Sequence, residues 1–407
     1  MHNKKSFKLP IFIILALLFA SLFVYFVLPL LKNQIEYDIE KPVVAKAVVE
    51  NKVNNIVEAI DPKEDIPAVN PIVVSHILTP KAVKAVYISA WVAGSPKYRD
   101  TIVKMIDETE INAIVIDVKD STGRVSFDMP IPELQKIGSI EKRISNVRAL
   151  TDMLHKKNIY IIGRISVFQD PYMTKKYPNW SVTKKSDGTV WKDRKGLSFL
   201  DPAKKEVHDY ILSVAKGAYE EGFDEINFDY IRYPSDGNMK DINYHLKEGE
   251  TRSDNIEKFF KYLSLEMKKE KNIPISADLF GLTTEVNDDM GIGQVWEKAL
   301  PYFDYLSPMV YPSHYPSGHA GYKNPSAYPY EVINRALISA VKKTEKIAEN
   351  KNKIRPWLQD FDMGATYTKE MVKAEIKAVY DNGLTSWMLW DPANKYTPGA
   401  LLLESAQ

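Results

Sequence analysis

The sequence predicts an α/β protein built on a (β/α)8 barrel, set behind an N-terminal apolar span and a tether. Three observations point there. From residue 83 onward, short apolar runs alternate with amphipathic stretches of helical period, the pattern of a parallel sheet assembled from βαβ units. Eight such runs occur in the last ~320 residues, the size of a barrel with insertions. The first run leads into Trp91-Val92-Ala93-Gly94-Ser95-Pro96, which lacks the Gly-rich turn that a doubly wound open sheet places after its first strand.

Residues 1–8 form a basic segment carrying Lys4, Lys5 and Lys8, and residues 9–31 contain no charge. A helix crosses a bilayer with about 20 apolar residues. The lysines before the span, and Glu36, Asp38 and Glu40 after it, place the N-terminus inside and the rest outside. The apolar run exceeds the roughly 7–15 residues of a cleaved signal peptide, and no clean A-x-A cleavage site follows the span. An uncleaved single-pass signal anchor in the cell membrane is therefore expected, with the C-terminal domain extracellular. Residues 32–80, broken at Asp61-Pro62, Ile66-Pro67, Asn70-Pro71 and Thr79-Pro80, read as an extracellular linker, and residues 81–407 as the barrel domain.

Within that domain the expected strands are 83–89, 113–120, 160–165, a fourth running through Asn227-Phe228-Asp229-Tyr230-Ile231, then 275–280, 305–311, 354–360 and 386–391. Helical periodicity covers, among others, 147–157, 203–221, 255–270, 331–349 and 368–382. Two connections, 170–200 and 234–252, are too long for plain loops; the first carries Tyr172, Tyr177, Trp180 and Trp191. Both leave C-terminal strand ends and are expected to wall the active-site face.

Composition narrows the function. With 54 basic and 53 acidic residues the net charge is +1, which gives no electrostatic case for nucleic acid. The absence of cysteine excludes thiolate zinc sites, disulfide scaffolds and a cysteine nucleophile. The 23 Tyr and 7 Trp supply rings of the kind that stack on sugars, although cores use them too.

The chemistry gathers at strand C-termini. Alternation puts Asn227, Asp229 and Ile231 on one side of the fourth strand, and Phe228 and Tyr230 on the other. Asp229 could simply close the strand in an ion pair with Arg232. Against that stands the number of similar strand ends: Asp117, Lys119 and Asp120; Arg164; Asp278; Tyr311; Gln359 and Asp360; Trp390 and Asp391. Several carboxylates, a few cations and aromatic rings at one mouth suit glycoside cleavage, where one carboxylic acid protonates the leaving oxygen and a second carboxylate attacks or activates water. Asp229 and Asp278 are the expected catalytic pair, with Asp360 and Asp391 behind Asp278. Asp117, Lys119, Arg164, Arg232, Tyr311, Gln359, Asp360, Trp390 and Asp391 are expected to bind or orient substrate. No metal or cofactor is expected: the first strand carries no paired histidines, and His314 and His319 alone do not fill a metal site.

The stretch 223–234 resembles the fourth-strand signature of a glycoside-hydrolase-like family of bacterial (β/α)8 proteins, known largely as a domain of unknown function. The resemblance continues through Ala90-Trp91, Ile116-Asp117-Val118-Lys119-Asp120, Gly163-Arg164-Ile165, Ala277-Asp278-Leu279-Phe280-Gly281, Pro308-Met309-Val310-Tyr311-Pro312 and residues 387–391. It implies cleavage of sugars. A weaker similarity links the chain to chitinase-like barrels, whose fourth-strand acids align with Asp224, Asn227, Asp229 and Ile231; isoleucine thus stands where their catalytic glutamate lies, and Pro312 where their sixth-strand aspartate lies. Two functions follow: a membrane-anchored extracellular glycoside hydrolase acting on a cell-wall or extracellular polysaccharide, or a barrel at the cell surface that binds glycan without cutting it.

Overall fold

The computed structural model describes residues 73–269 and 271–403. The expected membrane span at 9–31, and the linker up to residue 72, lie outside the described residues. Among those described, no helix is long and apolar enough to cross a membrane.

Eight parallel strands close into a barrel: β1 Lys84–Ile88, β2 Ala113–Lys119, β3 Tyr160–Ser166, β4 Glu225–Asp229, β5 Ile275–Phe280, β6 Tyr305–Met309, β7 Trp357–Gln359 and β8 Trp387–Trp390. Each pairs with its neighbour in sequence, and β8 returns to β1 through Lys84–Trp387, Ala85–Met388 and Val86–Leu389. The main helices between strands are α1 Pro96–Glu108, α2 Val147–His155, α3 Lys205–Glu220, α4 Arg252–Lys268, the single turn α5 Trp296–Ala299, α6 Pro329–Lys346 and α7 Lys369–Asp381. The expectation of a helix after every strand is met up to β7; among the described residues β8 is followed only by a 3-10 turn, Pro398–Ala400.

Local signals set these boundaries. Pro96 opens α1, where a missing N–H costs nothing. Asn146 caps α2, and Thr251 with Asp254 forms a reciprocal capping box on α4. The strand runs are shorter than sequence suggests. β7 begins after Pro356, which cannot donate to a ladder. β4 stops at Asp229 because Tyr230 turns to φ 49°, a left-handed conformation held by its N–H donating to Asp229 Oδ1 at 2.6 Å. Alternation therefore ends there. Tyr230 swings into the mouth of the barrel, and Ile231 joins the outer core.

Period-two alternation divides the apolar side chains into two cores. Val86, Ile88, Ile114, Ile116, Ile226, Phe228 and Leu389 face outward against the helices, whereas Ala85, Tyr87, Val115, Ile162, Trp357 and Met388 face inward. The inward register continues through polar residues: Asp117 after Val115, Arg164 after Ile162, and Glu225, Asn227 and Asp229 along β4. A barrel interior is packed solid, so each of these polar groups has to find a partner inside. The N-terminal end is closed by the last residues of the expected linker. Ile77 N–H donates to Asp224 at 2.9 Å, and the Thr79 and Tyr160 hydroxyls bond at 2.9 Å.

The two long connections pair with each other through a two-residue antiparallel ribbon, Thr183–Lys184 against Ile242–Asn243, above a small core of Val182, Trp191, Phe199 and Ile242. Trp191 is buried in that core and Trp180 stacks on Tyr177. Trp191 thus stabilises the insertion, Tyr172, Tyr177 and Trp180 pack against the outer core of the barrel, and none of the four lines the main cleft, contrary to expectation.

Candidate active site

A cleft of about 340 Å³ opens at the C-terminal ends of the strands. It gathers Arg164, Asp229, Arg232, Asp278, Tyr311 and Trp390 from five different strands or the loops after them. Convergence of strand ends on one mouth is the way this fold builds active sites.

Asp229 ends a chain of bonds across β1 to β4, at the cleft. The Tyr87 hydroxyl donates to Asp117 Oδ2 at 2.7 Å, and Arg164 Nη1 donates to Asp117 Oδ1 at 2.6 Å. The same guanidinium reaches Asp229 Oδ2 through Nε at 3.1 Å and Nη2 at 2.5 Å. The ion partner of Asp229 is therefore Arg164, and the Asp229–Arg232 pair considered from sequence does not form. Arg164 is held from both sides, which fixes the carboxylate it carries.

Asp278 sits on the next strand. The β4–β5 register pairs Phe228 with Ala277, so Asp229 and Asp278 each follow the last paired position, at neighbouring strand ends. Asp278 Oδ1 accepts from Asn227 Nδ2 and from Trp357 Nε1, both at 2.8 Å. No cation lies within ion-pair distance of it among the described residues. Burial, and then the charge of Asp229, push its carboxyl up to about 8. Two neighbouring acids thus have opposite settings, one salt-bridged and one protonated at neutral pH.

Rings line the rest. Trp390 stacks on Tyr87 at 4.0 Å between centroids and meets the edge of Trp357 at 5.6 Å. Tyr311 packs edge-on against His314 and Phe361. Gly281 is required where the loop after β5 passes β6: a Cβ there would stand 2.5 Å from the Met309 carbonyl oxygen.

The chain itself has counterparts among known proteins. A family model described as "Putative glycosyl hydrolase domain" matches residues 85–396. The chain belongs to this glycosyl hydrolase family. As a member it is a glycoside hydrolase, and its substrate is a carbohydrate. No curated protein matches by sequence. Among solved structures, the glycoside hydrolase domain of PgaB (BpsB) from Bordetella bronchiseptica superposes with TM-score 0.57 at 11% identity, covering 76% of this chain and 94% of that one. Alpha-L-fucosidase isoenzyme 2 from Paenibacillus thiaminolyticus gives 0.51 at 13% identity, over 79% of this chain and 47% of the fucosidase. At such identities the likeness is one of fold. A hypothetical protein from Ruminiclostridium thermocellum ATCC 27405 is 32% identical over 51% of this chain and 98% of its own, with TM-score 0.44.

Most of the remaining sequence-predicted residues lie outside the cleft. Lys119 is fully buried in an ion pair with Asp170 at 2.9 Å and donates to the Ser166 carbonyl at 2.5 Å, so it cannot reach substrate. Asp117 acts on the cleft only through Arg164. Gln359 is buried with its amide spent on Ser313 N–H and the Phe361 carbonyl. Asp360, its carboxyl pushed up to about 6 by burial, grips the N–H and hydroxyl of Thr397 at 2.8 and 2.7 Å. Asp391 caps the turn at Ala393 and Lys395. These three tie the loops after β7 and β8 and do not line the cleft. His314 lines it; His319 instead pairs with Glu285 at 3.2 Å.

Sequence reasoning missed Tyr230, Phe280 and Trp357 in the lining. Trp357 was visible as an aromatic residue on the seventh strand, but nothing local in the sequence aims its N–H at an acid 79 residues away. Among the described residues no group of three or more His, Asp and Glu side chains is placed to hold a metal ion.

Proposed function

We propose that this glycoside hydrolase is a membrane-anchored extracellular enzyme that cleaves a cell-wall or extracellular polysaccharide with Asp278 as acid and Asp229 as nucleophile. The observation that carries the chemistry is the pairing of a salt-bridged and an uncompensated carboxyl side by side in one cleft. Asp278 gives its proton to the glycosidic oxygen as Asp229 Oδ attacks the anomeric carbon; the C–O bond to the leaving sugar breaks and a glycosyl ester on Asp229 forms. Asp278, now a carboxylate, takes a proton from water, whose oxygen displaces Asp229 and frees the sugar. Two such displacements retain the anomeric configuration, and the placing of the two carboxyls on adjacent strands favours that course. Arg164 holds the Asp229 carboxylate in place, while Trp390 and Tyr311 offer ring faces to the sugar.

Anchoring and location rest on the sequence: the uncharged run 9–31, the lysines before it, and the linker that follows. The domain limits 9–31, 32–80 and 81–407 belong to the same proposal.

The test is release of soluble fragments from cell-wall and exopolysaccharide preparations by the purified full-length chain. Asp229→Asn and Asp278→Asn should each lower release at least ~1,000-fold while leaving glycan binding in place. If the parent chain binds glycan and releases nothing, it is a non-catalytic glycan-binding barrel and the hydrolytic reading fails.

A further inference from the structure

Four arginines are buried in the described barrel domain: Arg143, Arg164, Arg232 and Arg355. Three have carboxylate partners. Arg143 pairs with Asp120 and Glu141, Arg164 with Asp117 and Asp229, and Arg355 with Glu225. Arg232, only 8% exposed, has no carboxylate within ion-pair distance among the described residues. Asp229 and Asp193 are the acids whose charge it feels, and both act from further off. Burying a guanidinium without a counter-charge is unfavourable unless something else supplies one.

The surroundings of Arg232 hold it in place without neutralising it. Its guanidinium lies 4.6 Å from the centroid of the Phe280 ring and 5.2 Å from that of Tyr230, and Nη1 donates to the Tyr233 carbonyl at 2.9 Å. That bond uses one of its five N–H groups. The residue lines the same cleft as Asp229 and Asp278. The other charges there are accounted for: Arg164 is matched by two aspartates, and Asp278 and His314 are held towards their neutral forms by burial. A planar, rigidly stacked guanidinium in such a wall fits a planar anion that it can grip with two parallel N–H bonds.

We propose that Arg232 is the receptor for the carboxylate of a uronic-acid residue, so that the polysaccharide cleaved here is acidic. The assignment rests on the hydrolase reading above and names its substrate class. The substrate carboxylate supplies the counter-charge Arg232 lacks, and the Phe280 and Tyr230 rings keep the fork in the plane of the incoming group. A neutral sugar would leave the guanidinium buried and unmatched, which makes the site selective against it.

The experiment uses the full-length chain and homopolymers of galacturonate, glucuronate and mannuronate. Each is assayed beside the same polymer after chemical reduction of its carboxyls to neutral hydroxymethyl groups, and beside a sulfated neutral glucan. The parent chain should cleave at least one uronate polymer and lose roughly 10- to 100-fold in kcat/KM on the reduced form, the range of a charge-assisted hydrogen bond. This comparison needs no variant and is immune to misfolding. Arg232→Gln should lose a similar factor on the uronate and little on the reduced polymer, with Arg232→Lys between. Equal rates on charged and reduced polymers, equal loss by Arg232→Gln on both, or preference for the sulfated glucan would each overturn the assignment while leaving hydrolysis intact. Should no polymer be cleaved, calorimetry with uronate oligosaccharides still decides: binding lost in Arg232→Gln upholds the anion site, and absence of binding to the parent chain rejects it.

Discussion

The barrel interior carries two layers of buried charge, and they differ in one respect. In the lower layer Glu225 and Arg355, both fully buried, pair directly; Glu225 also accepts from the Ser276 hydroxyl at 2.6 Å and the Tyr160 hydroxyl at 3.2 Å. In the upper layer Arg164 is shared between Asp117 and Asp229, and Asp278 stands beside them with no cation of its own. The ingredients are the same: carboxylates, one guanidinium, tyrosine hydroxyls, inward-facing strand positions. The lower layer is balanced and sealed, whereas the upper layer holds an acid in surplus and opens onto the cleft. Burial and ion pairing alone therefore do not separate scaffold from chemistry. A carboxyl left without a cation next to one that has it, at an open strand end, does.

The largest expected difference is in stability. Glu225→Gln leaves Arg355 buried without its counter-charge, and breaking a buried pair in this way costs about 3–5 kcal/mol. Urea unfolding of the full-length protein should show the loss as a lower midpoint. Asp278→Asn should do the reverse. It removes a carboxyl that burial opposes, and an amide oxygen still accepts from Asn227 and Trp357. The variant should be inactive yet at least as stable as the parent at pH 8. A Glu225→Gln protein as stable as the parent, or an Asp278→Asn protein that unfolds much sooner, would break the contrast between the layers.

A second difference appears with pH. The Asp278 carboxyl titrates near 8 in the folded protein against 3.8 for an unperturbed side chain. Between those values the folded state keeps a proton that the unfolded state has released, so this group lowers stability as pH rises from about 4 to 8. The same proton is the one the acid donates, so kcat/KM should fall as pH rises through about 8. In Asp278→Asn the fall in stability over that window should flatten, as measured by melting temperature at pH 5, 7 and 9. An activity limb that rises through pH 8 would show that Asp278 works as its carboxylate and would exchange the two acid roles.

How much of this could be read beforehand follows from the range of each interaction. The eight strands and their order were legible, because period-two and period-3.6 patterns are local and sequential strands pair in this fold. The positions of Asp229 and Asp278 at neighbouring strand ends followed from the same patterns. Pairing was not legible. Lys119 looked like an end-of-strand cation for the cleft, and its salt bridge to Asp170 comes from a loop 51 positions on. Glu225 stood in plain alternation with Asn227 and Asp229, but its partner Arg355 lies 130 residues away. The aromatic-rich insertion 170–200 was expected to wall the active-site face, but Trp191 is buried in a small core of its own and Tyr172, Tyr177 and Trp180 pack against the outer core of the barrel. Tyr230 reaches the cleft only through a left-handed turn that no period predicts.

The smallest expected effect tests whether the upper layer is tuned as well as placed. Trp357 lines the cleft, and its indole N–H donates to Asp278 Oδ1 at 2.8 Å. A donor on a carboxyl favours the ionised form, and here that bond works against burial and the charge of Asp229. Trp357→Phe keeps an aromatic ring against Trp390, at some loss of buried volume, and deletes the donor. The Asp278 proton should then be held more tightly, so the fall in kcat/KM should move to higher pH while the rate at neutral pH changes less than about threefold. Asn227 still holds the same oxygen, which keeps the acid in position and the effect modest. A limb that moves to lower pH, or a rate that collapses at every pH, would mean that the indole positions the acid or the sugar and does not tune the proton, and the upper layer would then be a matter of placement alone.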